Sequence, residues 1–158
     1  MNEPLEILNL IDGQMVPARG GEWLDVFEPA TGAMFAQCAD SAASDVDAAV
    51  NAAQRAAPAW AAMPTEERCR LMQLLADRIA EESDALAQLE SRDSGKPVAL
   101  AARMDIPRAV ANLRFFAEMM TGWSSEAHVN AGQSINYTLR QPLGVVGCIS
   151  PWNLPLYL

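Results

Sequence analysis

Asn153 is the residue in this chain best placed by sequence to do chemistry. It sits in the loop Ser150-Pro151-Trp152-Asn153-Leu154-Pro155, directly after the apolar run Val145-Val146-Gly147-Cys148-Ile149. Such an unbroken run reads as a strand buried on both faces of a parallel sheet. In open α/β sheets ligands bind beyond the carboxyl ends of the strands. A side-chain amide there offers two N–H donors and no charge. It can stabilise a developing oxyanion without bringing in a titrating proton. Trp152 and the flanking prolines would stiffen the backbone around it. The same Asn also suits a plain turn between a buried Trp and a Pro.

The other reactive residue types are less well placed. A nucleophilic cysteine needs an electropositive, partly exposed setting. Cys38 and Cys148 fall in strand-like runs and read as small buried hydrophobes. Cys69 falls on a helix beside Arg68 and Arg70. His128 is the sole histidine, so no Cys/His or Ser/His/Asp set assembles easily. Gly144-Val145-Val146-Gly147 lacks the third glycine and following helix of a dinucleotide loop. Ser94-Gly95-Lys96-Pro97 reads as a helix stop, with Gly at the C-terminal position and Pro just beyond. Glu66/Glu67 and Glu81/Glu82 read as solvated helix faces.

The elements that must carry these residues come in a clear order. Asn9-Leu10-Ile11 and Gln14-Met15-Val16 flank Asp12-Gly13, a dipeptide suited to a two-residue hairpin. Trp23 to Phe27, the turn Pro29-Ala30-Thr31-Gly32 and Met34 to Cys38 complete a small meander. Helices follow. Ser44 is the expected cap of the first, with Asp47 three residues on. Its apolar face is Val46, Val50, Ala53, Ala57 and Trp60, with Pro58 and Pro64 at its end. Thr65 is the expected cap of the second, whose stripe is Leu71, Leu74, Leu75 and Ile79. Ser83-Asp84 restarts a helix carrying Leu86 and Leu89. A last helical stretch runs to about Gly122, with Val110, Leu113, Phe116, Ala117 and Met120 inward, and Pro107 kinks or restarts it. Ile135, Tyr137 and Leu139 alternate with Asn136, Thr138 and Arg140 as a half-buried strand.

The composition bounds the function. The 158 residues carry a net charge of −9, with 11 Lys+Arg against 20 Asp+Glu, which disfavours nucleic acid or an anionic membrane as partner. With 51% hydrophobic and 20% charged residues, the chain is globular in composition. No apolar run reaches membrane-spanning length, and Met1-Asn2-Glu3-Pro4 does not open a signal peptide. An odd three cysteines without zinc spacing suggest reduced thiols and a cytoplasmic setting.

From Gly144 to Pro155 the sequence resembles the aldehyde dehydrogenase superfamily, where the first Rossmann strand ends in a Pro-Trp-Asn loop. Ile11-Asp12-Gly13, Pro29-Ala30-Thr31-Gly32, the Ala-rich helix ending in Trp60, Arg68 and Gly95-Lys96-Pro97 fall in family order. Ser150 to Leu158, with Met104-Asp105-Ile106-Pro107-Arg108, is most similar to the 2-aminomuconic and 2-hydroxymuconic semialdehyde dehydrogenases. The resemblance implies an α/β fold: the N-terminal part of the family architecture, with a small β-meander, helical segments, an oligomerisation strand and the first strand of an incomplete Rossmann-type parallel sheet. It implies three regions: 1–132 as meander and helices of the cofactor-binding domain, 133–141 as the oligomerisation arm, and 142–158 as the first Rossmann strand and its loop. It implies that Asn153 donates its amide to the substrate oxygen and that Ile149, Ser150, Pro151 and Trp152 line NAD or NADP. It implies that Asp105, with carbonyls near Val26 and Phe27, holds Na+ or K+; Asp105 as a simple cap for the Pro107 helix is the alternative.

The implied reaction is oxidation of a small aldehyde, a muconic semialdehyde in the nearest resemblance, to its carboxylate through a cysteine thiohemiacetal, in a homo-oligomer. The family's nucleophilic Cys and general-base Glu have no match in these residues, so the 158-residue chain alone is expected to be inactive, a truncated piece. The alternative is a non-catalytic paralogue that assembles with full-length subunits.

Overall fold

The computed structural model describes residues 4–158. Of the N-terminal four read against a signal peptide, Met1, Asn2 and Glu3 lie outside the described residues. The hairpin forms where expected. β2 (Asn9–Ile11) pairs antiparallel with β3 (Gln14–Val16), matching Asn9 to Val16 and Ile11 to Gln14. Asp12 and Gly13 take φ of 54° and 75°, the left-handed pair that a tight hairpin turn requires. β4 (Trp23–Phe27) and β5 (Met34–Ala39) pair antiparallel, with an irregularity at Val26/Phe27. β1 (Leu5–Ile7) was not anticipated; it adds to the far side of β5 in parallel, Leu5 against Ala36 and Ile7 against Cys38.

The helices are α1 (Ala43–Ala62), α2 (Thr65–Glu81), α3 (Ser83–Ser94), the single turn α4 (Val98–Leu100), a π-helical turn at Ala101–Asp105, and α5 (Ile106–Thr121); α2 to α5 pack together as a helical layer, and α1 lies against β2. Pro107 restarts the helix, sitting in the first turn of α5 where its missing N–H leaves no bond unmade. α3 stops at Gly95, whose φ of 77° lets its N–H bond back to the Ser91 carbonyl at 2.9 Å. A Cβ on Gly95 would also come within 3.2 Å of Pro29. α2 packs mainly against α5, burying Cys69 and Ala76 on one side and Ala109, Val110 and Ala117 on the other. A tighter cluster of Ala87, Ala101 and Ile106 joins α3, the π turn and α5, with Ile79, Leu86 and Leu156 packed on it.

Several expectations are corrected. The cap of α1 is neither Ser44 nor its partner Asp47. The helix begins two residues earlier, at Ala43 with Ala42 in the cap position, and buried Asp45 accepts from the Ala42 N–H and the Arg19 N–H at 3.0 Å each. The carboxylate satisfies two backbone donors at once, and it ties the turn after β3 to the helix. Thr65 is the first residue of α2, and Pro64 holds the cap position. Pro58 lies inside α1 rather than ending it. Val46, Val50 and Trp60 of the α1 stripe remain exposed, as do Leu74 and Leu75 of α2 and Phe116 and Met120 of α5. Periodicity identifies a shared face; burial also needs an element to cover it.

The strand expected at Ile135 to Arg140 is shorter and wholly exposed. It is β7 (Ser134–Tyr137), paired antiparallel with β6 (Ala127–Asn130) in a two-stranded hairpin. Val145 to Ile149 form no strand and are not buried. The segment is irregular, and Ile149 is fully exposed. A parallel strand exists only by hydrogen bonding to neighbours, and none among the described residues is offered to this run. Cys148 is exposed for the same reason.

The Asp45 cap gives a prediction. The backbone hydrogen bond from Ala42, then that from Arg19, hold its carboxyl below the ordinary aspartate value of 3.8. A group with a depressed folded-state pKa adds stability above its unfolded pKa and loses it as pH falls through the folded one. Asp45→Ala is therefore expected to lower the melting temperature at neutral pH. The gap from the unsubstituted protein should close in acid below the ordinary aspartate value. Thermal melts of both proteins across pH would decide; a gap independent of pH would refute the assignment.

Candidate functional site

The Asn153 loop has little regular structure of its own. Leu154 to Leu158 form a turn in which the Leu158 N–H donates to the Leu154 carbonyl at 3.1 Å. The helical layer supplies the rigidity. Leu156 packs on the Ala87–Ala101–Ile106 cluster, and the Tyr157 ring lies under the Arg108 guanidinium at 5.8 Å.

The third fastening is polar. The left-handed turn at Gly95 brings Lys96 back along α3, where the Ser91 hydroxyl donates to the Lys96 carbonyl at 2.5 Å. The Lys96 ammonium then donates three times: to Glu90 Oε1 at 2.9 Å, to Asp105 Oδ2 at 2.6 Å and to the Asn153 carbonyl oxygen at 3.3 Å. An ammonium has three protons, and all three are used. The Lys96 side chain is 14% exposed, and those of Glu90 and Asp105 are 3% and 8% exposed. Burial pulls the Lys96 pKa down. The hydrogen bonds to Asp105 and Glu90, with their charges, outweigh it and raise the net value above that of an ordinary lysine.

The residues singled out from the sequence fall into two groups. Ile149, Ser150, Pro151, Trp152 and Asn153 share one exposed run, with Trp152 86% exposed. Among the described residues the Asn153 side-chain amide has no hydrogen-bond partner, so its donors are open. Asp105 is not in that run: it is buried at the end of the π turn and meets the loop only through the Lys96 ammonium it shares with the Asn153 carbonyl. It holds the N-cap position of α5 without a side-chain cap bond; its carboxylate faces Lys96 instead. Val26 and Phe27 lie on β4. No group of three or more His, Cys, Asp or Glu among the described residues could hold a metal.

The cysteines stay apart from any base. Cys38 is half-buried in β5, with only a weak contact at 3.9 Å to the Ala39 carbonyl, and Cys69 is buried in α2. His128 is exposed on β6, 4.0 Å from Glu126. A roomier concavity of about 480 Å³ lies between the β2–β3 hairpin and α1. Of its charged groups, Arg55 pairs with Asp12 at 2.9 Å and Asp45 accepts from backbone N–H groups, while Arg19 also lines it.

A sequence profile described as the aldehyde dehydrogenase family matches residues 15–158. The chain belongs to that family. Its α/β architecture agrees: PnpE solved in complex with nicotinamide adenine dinucleotide superposes with a TM-score of 0.91 at 42% identity, over 96% of this chain and 31% of that one, and PnpE from Pseudomonas sp. WBC-3 with a TM-score of 0.91 at 42% identity, over 97% of this chain and 31% of that one. Human 2-aminomuconic semialdehyde dehydrogenase is 41% identical over 99% of this chain and 32% of its own length. The 2-hydroxymuconic semialdehyde dehydrogenase of Pseudomonas sp. (strain CF600) is 39% identical over 97% of this chain and 32% of its own. This aldehyde dehydrogenase family chain thus spans about a third of the length of the relatives it matches. No helix among the described residues is long and apolar enough to cross a membrane.

Reading the sequence missed the Glu90–Lys96–Asp105 cluster. Lys96 looked like part of a helix stop, and Glu90 drew no notice. The available signal was the carboxylate on the last turn of a helix that ends in Gly-Lys-Pro, which folds the lysine back over its own helix.

Proposed function

We propose that this chain supplies the oxyanion-stabilising wall of an NAD(P)-dependent aldehyde dehydrogenase that oxidises a small aldehyde, of the muconic semialdehyde class, to its carboxylate. The observation that carries this reading is Asn153, whose amide is open to solvent while its own carbonyl accepts from the half-buried Lys96 ammonium. Attack of a cysteine thiolate on an aldehyde gives a thiohemiacetal oxyanion. The Asn153 N–H groups would donate to that oxygen, and their lack of charge leaves the thiolate undisturbed.

NAD or NADP, when bound, accepts the hydride. Ile149 and Trp152 present the bare apolar surface against which a nicotinamide ring could lie, with Ser150 and Pro151 between them. The run offers no basic side chain and no helix N-terminus, so the phosphates would be held by other residues. Na+ or K+ at Asp105 fits poorly: its carboxylate already has a cation in the Lys96 ammonium. The setting would be the cytoplasm, and the assembly a homo-oligomer built through the 133–141 arm, with neither nucleic acid nor membrane as partner.

The 158-residue chain by itself is expected to give no turnover, because none of its three cysteines is paired with a base. Formation of reduced cofactor from a panel of aldehydes by the purified chain is the measurement; a rate clearly above blank would overturn this. A second reading is favoured by the β6–β7 hairpin, which is exposed at every residue. It makes the chain an assembly module for full-length subunits. Stable co-purification with such a subunit, without any gain of turnover, would support it.

A further inference from the structure

We infer that Lys96 is a positioning residue for Asn153, joining the loop to the helical layer through its main-chain carbonyl. The inference rests on the reading of Asn153 as the oxyanion donor. Lys96 is held on two sides by buried carboxylates from different elements, Glu90 on α3 and Asp105 on the π turn. Its ammonium therefore has a fixed place, and its third proton a fixed direction. That proton meets the Asn153 carbonyl. Holding a carbonyl restrains the plane of the peptide that follows it, and so the Cα–C axis about which the amide-bearing Cβ turns. Among the described residues no other side-chain hydrogen bond ties the loop to the layer. The next anchor, Leu156, is apolar and three residues on. Apolar packing sets depth; a charged donor on a carbonyl sets orientation. The raised pKa keeps this tether charged throughout the neutral range.

The geometry also divides the labour around Asn153. Its main chain is committed to the protein, and its side chain is left to the substrate. An oxyanion donor needs this arrangement, since its own hydrogen bonds must stay open until charge develops.

Two measurements test the inference. In the 158-residue chain, Lys96→Met should lower the backbone NMR order parameters of Asn153 and Leu154 from about 0.85, typical of rigid backbone, toward values below about 0.6, with α2 and α5 unchanged. Removing Lys96 leaves two buried carboxylates without a counter-charge. The combined variant Glu90→Gln, Lys96→Met, Asp105→Asn removes all three charges together and should free the same two residues if the single variant does not fold. Unchanged order parameters at Asn153 in a folded variant overturn the tether.

In the full polypeptide carrying this segment, Lys96→Met should lower kcat about tenfold or more with little change in aldehyde KM, as a misplaced donor would. In an Asn153→Ala background the same substitution should cause no further loss. A loss that persists undiminished in that background would mean Lys96 does not act through Asn153. If Asn153→Ala alone leaves kcat unchanged, the reading of Asn153 falls, and the order parameters still judge the tether independently.

Discussion

If Asn153 is the oxyanion donor proposed above, Asn153→Ala in an aldehyde dehydrogenase carrying this segment is expected to lower kcat by about 10²–10³-fold, the range seen when one oxyanion donor is removed. The argument runs from side-chain chemistry to placement. An amide is a double donor without charge, and here it lies on an exposed loop with its donors unengaged. The loop is fastened at the Asn153 carbonyl, at Leu156 and at Tyr157, so the backbone that carries the amide is restrained while the amide itself stays open. Asn153→Asp should be at least as damaging, because an ionised carboxylate faces the developing oxyanion with like charge and no donor. Both variants should retain the wild-type melting temperature, since the side chain touches nothing that holds the fold. Initial rates of cofactor reduction with the preferred aldehyde are the measurement. An Asn153→Ala enzyme with undiminished kcat would falsify the oxyanion role and leave Asn153 a turn residue.

What the sequence disclosed depended on the range of the interaction concerned. Asp12-Gly13 specified its hairpin, Gly95 its helix stop and Pro107 its helix restart, because each is a demand of one residue's backbone on its neighbours. The sequence pattern places the capping of α1 two residues too late. Ser44 and buried Asp45 are both good capping types, and besides the local N–H of Ala42 it is the N–H of Arg19, 26 residues away, that distinguishes them. Val145 to Ile149 show the limit from the other side. Their composition is that of a buried strand, yet strand formation is a property of a pair, and an apolar run without a partner remains irregular. The Asn153 loop was legible as a motif; its support was not. Lys96 lies six residues from Glu90, nine from Asp105 and 57 from Asn153, and no periodicity links those spacings.

The largest stability effect is expected at the same lysine. Lys96→Ala should destabilise the fold by about 3–5 kcal/mol, the range for breaking a buried ion pair from one side. The loss exceeds what the pair itself contributes. Glu90 and Asp105, both buried, would face each other with no counter-charge, and the desolvation cost that the ammonium had offset would remain. The exposed pairs of Arg70 with Glu67 and Arg78 with Glu81 and Glu82 lack this leverage, because water replaces a lost partner there.

The charge logic fixes the pH dependence as well. Lys96 has a folded-state pKa above the ordinary 10.5. Its contribution is therefore complete below that value, through the whole neutral range, and is lost only as pH rises through the raised pKa. Urea midpoints of the unsubstituted chain should include this alkaline loss, and those of Lys96→Ala should lack it. The neutral variant Glu90→Gln, Lys96→Met, Asp105→Asn should recover most of the lost stability, because no charge is then left unpaired in the interior. Midpoints at unchanged urea dependence separate these cases. A Lys96→Ala chain within about 0.5 kcal/mol of the unsubstituted protein, the usual range for a surface change, would mean that water reaches Glu90 and Asp105 and that the cluster is no interior tether.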